Sequence, residues 1–101
     1  GGLAAVMAAM QNNPKAIYVL QEGCGVLKNI AAGDAQAVLD AGGLELVMQV
    51  MDMCPKYSWV QLWGCQALRR LAELDARRVD NAGGFLKVSY AMRKHGDTEM
   101  V

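Results

Sequence analysis

Displacing the chain against itself by 41 residues lays Gly1, Gly2 and Leu3 on Gly42, Gly43 and Leu44, and these in turn on Gly83, Gly84 and Phe85. No gap is needed, and about 17 of the 41 positions in the first two copies are identical, among them Val6/Val47, Met10/Met51, Pro14/Pro55, Gly23/Gly64, Cys24/Cys65, Leu27/Leu68 and Asp34/Asp75. A fixed period of this kind constrains the fold strongly, because one short unit cannot bury its apolar face alone and must stack on its neighbours. The periods run 1–41, 42–82 and 83–101, so the chain holds two copies and part of a third. Repeat arrays usually need about three or more units with polar caps, and the chain accordingly reads as a single segment of a longer array.

Within a unit, Leu3, Val6, Met7 and Met10 fall at i, i+3, i+4 and i+7, the spacing of one helical face, and Leu44, Val47, Met48 and Met51 repeat it. Phe85, Val88 and Met92 carry the pattern into the third copy. Recurrence at every period favours core packing over an adaptable methionine-rich binding surface. Asn13 before Pro14 has the form of an N-cap with proline at the first helical position, opening a second helix through Ile17, Leu20, Cys24, Leu27 and Ile30. In the next copy Ser58 and Gln61 have capping-box spacing, and in the third Asp97 stands where a cap is expected. Gly23 and Gly64 recur inside the long helices although glycine there costs about 1 kcal/mol relative to alanine, which predicts a close neighbour at both positions.

After each long helix, Asp34 and Asp75 can cap a two-turn segment that ends at a Gly-Gly pair. A glycine there can take the left-handed conformation that stops one helix and turns the chain into the next. One unit therefore reads as short helix, medium helix, long helix.

Ten basic residues balance ten acidic ones, so no overall field steers the chain toward a polyanion, and bulk nucleic-acid binding is not expected. No apolar run approaches the roughly 20 residues of a membrane helix. Cys24, Cys54 and Cys65 are odd in number and lack zinc-ligand spacing, and Cys24 and Cys65 recur at one repeat position. Small buried thiols are expected, which points to a reducing, intracellular compartment such as the cytoplasm.

The run AVLDAGGLELVMQVM leading into VQLWGCQALRRLA, with VLQEGCGVLKNIA as the end of an earlier long helix, resembles the armadillo repeat across the whole chain. HEAT repeats are the nearest confusion, but a two-helix HEAT unit would not need the capped segment before Gly42 and Gly83. The resemblance implies an all-α, right-handed α-solenoid with a concave groove lined by the long third helices. Some family members grip extended peptides there with a Trp and an Asn four residues later. Asn29 matches the asparagine, whereas Gly25 stands at the Trp position and the next unit has Gln66 and Arg70. A nuclear-import type of cargo recognition is therefore not expected. The same register turns Gln21, Gly25, Asn29, Leu62, Gln66 and Arg70 toward the groove, where Arg70 can pair with an acidic group.

Trp59 and Trp63, four apart on one helix, form a candidate aromatic edge for a partner or for packing against another helix. Arg69, Arg70, Arg77 and Arg78 cluster nearby but are diluted by Glu73, Asp75 and Asp80, so a surface ion-pair network is the simpler reading. His95, the single histidine, has no nucleophile, carboxylate pair or metal ligands set around it, and no phosphate-binding glycine motif occurs. The expected function is a noncatalytic interaction scaffold without cofactor, binding a protein or peptide and further repeats. The alternatives are a structural subunit of a large assembly, the repeat region of a larger enzyme, and a weak nucleic-acid binder.

Overall fold

The computed structural model describes residues 1–95. The chain is all-α: α1 (Gly2–Asn12), α2 (Ile17–Asp40), α3 (Gly43–Met53), α4 (Ser58–Asn81) and α5 (Gly84–Lys94). Helix starts at 2, 43 and 84, and at 17 and 58, repeat the 41-residue period of the sequence. Apolar faces at helical spacing meet in one core in which Leu20, Leu27, Leu44, Val47 and Leu71 are completely buried.

Each long helix bends at its aspartate. Asp34 has φ −152° and ψ 74°, and Asp75 has −145° and 81°, both outside the helical region. The Asp34 carboxylate accepts from the Ala37 backbone N–H at 3.1 Å, and Asp75 accepts from Arg78 N–H at the same distance. Each aspartate thus caps the short segment after it, satisfying a donor that a helix start leaves open. The two-turn piece predicted before each Gly-Gly pair is present as the tail of α2 and of α4.

The paired glycines are needed for two different reasons. Gly42 and Gly83 both sit at φ 86°, where a side chain is strained. Gly43 and Gly84 need space: a Cβ on either would overlap a Val38 or Val79 methyl and stand 2.9 Å from that valine's carbonyl oxygen. The glycines inside the long helices also permit close approach, since a Cβ on Gly64 would lie 2.6 Å from Met51 Sδ, and one on Gly23 would overlap Met10 Sδ.

Two capping expectations are corrected. Asn13 does not open α2, whose N-cap is Ala16; its side-chain amide donates to the Ala9 carbonyl at 2.7 Å and closes α1 instead. A turn from Asn13 to Ala16, closed by an N–H···O bond of 3.1 Å, separates the helices and places Pro14 outside both. Ser58 and Gln61 form no capping box either. Tyr57 is the N-cap, without a side-chain bond, and Gln61 is buried. Its Nε2 donates to the carbonyls of Met51 (2.9 Å) and Cys54 (3.0 Å), so the side chain satisfies acceptors at the end of α3 rather than a donor at the start of α4. The cap expected at Asp97 lies outside the described residues.

Contacts between successive units are partly polar. Lys87 of α5 pairs with Asp52 of α3, and the Arg78 guanidinium donates to the Leu39 carbonyl at 3.2 Å. His95 Nε2 lies 2.8 Å from the Pro55 carbonyl oxygen, which accepts its N–H.

Candidate functional site

The two long helices lie side by side, and their sequences make this possible at one turn in particular. Gly25 of α2 leaves a gap in the helix surface, and Trp63 of α4 fills it, its Cε3 standing 3.1 Å from where a Cβ on Gly25 would be. The Lys28 ammonium lies 5.6 Å from the Trp63 ring centroid, within cation–π range. Trp59 continues the aromatic run, its ring centroid 5.5 Å from that of Trp63 at a 54° tilt. Trp63 is half-buried against the core whereas Trp59 is 50% exposed, so Trp59 carries most of the free aromatic surface of this edge.

About one turn beyond the indole, a polar hollow of about 290 Å³ is lined by Lys28, Asn29, Ala32, Gln66, Arg69 and Arg70. Asn29, Gln66 and Arg70 are thereby brought together as the groove register predicted. Gly25 is roofed by Trp63 rather than open, Gln21 is half-buried on α2, and Leu62 lies with Gln66 along a separate apolar hollow beside α5. Lys28 and Arg69 were not among the groove candidates. They share one repeat position, and the residues following them, Asn29 and Arg70, were the candidates themselves, so the register alone could have pointed to them.

Three cations line this hollow and no carboxylate does. The local field is positive although the chain as a whole is balanced. Arg70 Nη1 lies 3.4 Å from Glu73 Oε1, but both side chains are well exposed, so the pair is weak and Arg70 can exchange it for another carboxylate. Two guanidinium groups and an ammonium can take carboxylates, and the Asn29 and Gln66 amides can both donate to and accept from a peptide backbone.

The thiols offer no competing chemistry. Burial pushes Cys24 up from 9.0 to about 12, with the nearby Cys54 adding to the shift; burial likewise raises Cys65 to about 11 and raises Cys54. All three therefore stay protonated at neutral pH, where a thiol is a poor nucleophile. Among the described residues no group of three His, Cys, Asp or Glu side chains is placed to hold a metal ion, and no helix is long and apolar enough to cross a membrane. Comparison with protein-family models, curated proteins and solved structures finds no match in any of the three.

Proposed function

We propose that the chain is a noncatalytic protein-interaction module of the armadillo type, a right-handed helical solenoid that takes an extended acidic segment of a partner along the groove between α2 and α4. The observation that carries this reading is the convergence of Lys28, Arg69 and Arg70 with the amides of Asn29 and Gln66, without a carboxylate in the lining. The peptide backbone would meet the amides while its acidic side chains meet the cations. The indole of Trp63, delivered from the neighbouring helix over Gly25, packs beside the same groove. Three free cysteines, none in a disulfide, fit a reducing compartment.

The test is fluorescence anisotropy with a labelled ten-residue Glu-Ser repeat peptide against the whole chain. Binding should weaken as salt rises, and Arg69→Ala with Arg70→Ala should weaken it by about tenfold or more, on the order of 1.4 kcal/mol. Equal binding of a Lys-Ser repeat peptide, or no loss in the double variant, would contradict the proposal.

A second reading, a structural subunit of a larger assembly, is favoured by the outer side of α5, where Leu86 is 77% exposed and Tyr90 lies open beside it. Coverage of that face in a stoichiometric complex would support it.

A further inference from the structure

The 41-residue period makes the molecule its own reference. Six residues on α2 and α3 form a surface that is almost completely buried: Cys24, Leu27, Ala31, Leu44, Val47 and Met51. Helix α4 crosses α2 and α3 here, with Trp63 over Gly25, Gly64 against Met51, and Gln61 bonded to the carbonyls of Met51 and Cys54. Moved on by one period, the six become Cys65, Leu68, Ala72, Phe85, Val88 and Met92. These line an open apolar hollow of about 360 Å³ between α4 and α5. Leu68 stays buried, but Phe85 and Met92 are each 44% exposed where Leu44 and Met51 are sealed.

The same register says what fits. The occupant must be a long helix of the α2/α4 kind, because such a helix covers the equivalent surface within the molecule. An intact second copy cannot supply it in that register, since its α1 would fall where α5 already stands. The rim adds a charge requirement: Arg69 is the counterpart of Lys28 and Gln66 that of Gly25, so the residue corresponding to Trp63 would meet a guanidinium and an amide. At that position α2 carries Glu22. The residue corresponding to Gly64 would meet Met92, as Gly64 meets Met51, and α2 carries Gly23 there.

We propose that the α4/α5 face is a helix-acceptor groove that binds an amphipathic helix of the α2/α4 type, with glycine against Met92 and an acidic side chain against Arg69. Recognition is of the helix-in-groove kind, with apolar anchors giving affinity and the Glu–Arg contact fixing the register. It shares Gln66 and Arg69 with the acidic-peptide groove between α2 and α4, but its apolar floor, from Cys65 to Met92, belongs to α4 and α5 alone, so a Met92 shift reports on this face and not on the other.

The probe is a synthetic peptide of residues 17–33, titrated under reducing conditions into the whole chain carrying isotope-labelled methionine methyl groups. The Met92 resonance should shift to saturation while those of Met7 and Met10, on the far side, stay in place. A Gly23→Leu peptide, which is a better helix former, should bind at least about tenfold more weakly because its side chain meets the Met92 thioether. A Glu22→Lys peptide should bind several-fold more weakly to the unaltered chain and recover on a chain carrying Arg69→Glu. An unmoved Met92, equal binding of the Gly23→Leu peptide, or a Met92 resonance that changes with protein concentration in the absence of peptide would each overturn the proposal, the last assigning the face to self-association.

Discussion

The α2/α3 surface and the α4/α5 surface share one apolar pattern: five of the six paired residues are identical, and only Leu44 is replaced, by Phe85. One is core and the other is half open. The difference does not come from the residues themselves, since the helix starts, the bends at Asp34 and Asp75 and the left-handed Gly42 and Gly83 repeat almost unchanged. It comes from α4, which lies across the first face, while among the described residues no helix lies across the second. In a repeat chain, burial is a property of the neighbour as much as of the unit.

The comparison breaks most readily at Leu44 and Phe85. Leu44→Ala should lose about 2–5 kcal/mol as a buried truncation, whereas Phe85→Ala, at an exposed site, should lose less than about 1 kcal/mol in the same denaturant titration. Leu27→Ala and Leu68→Ala should each fall in the larger range, because both are buried whichever face they belong to. Equal losses at Leu44 and Phe85 would show that the open face carries as much stabilisation as the covered one.

Glycine substitutions sharpen the comparison by sign. Gly43→Ala should destabilise by about 1–3 kcal/mol, because its methyl group would press on Val38 and that residue's carbonyl oxygen. Gly33→Ala should stabilise by up to about 1 kcal/mol, since nothing lies within 4 Å of its Cβ position and the second unit has Leu74 there, half exposed. Melting temperatures moving in the same direction for both variants would contradict the packing account.

Smaller effects belong to the caps and thiols. Asp34→Ala and Asp75→Ala should each cost about 1 kcal/mol and by similar amounts, as the two carboxylates make the same bond at the same distance. Cys24, with its pKa raised to about 12, should alkylate more slowly than Cys65, at about 11, in native protein at mildly alkaline pH. Because burial raises these values, their contribution to stability is fully present below the ordinary thiol pKa of 9.0 and is lost as pH climbs through 11 and 12. A Cys24→Ala variant should therefore retain more of its neutral-pH stability under alkali than the parent chain does.

Much of this was legible in the sequence because it is local and periodic. The Asp34 and Asp75 caps depend on a backbone N–H three residues away, and the Gly-Gly corners on their own backbone. What escaped depends on which of several reachable partners a side chain takes, a choice that spacing alone does not make. Gln61 has capping-box spacing from Ser58, yet the acceptors that capture it belong to α3; Asn13 precedes a proline, but the Ala9 carbonyl behind it is the better partner. The same applies to the candidate site: Asn29, Gln66 and Arg70 followed from register, whereas the closure of Gly25 by Trp63 needed the spacing between two helices. No helical periodicity encodes that spacing.

The most direct test of whether cover by a long helix alone separates the two faces is native-state amide hydrogen exchange, comparing α3 with α5. Amides in the body of α3 should exchange only through global unfolding, while those of α5 exchange through local opening at least about a hundredfold faster and slow down when the 17–33 peptide is bound. Equal protection of α3 and α5 in the chain alone would contradict the account.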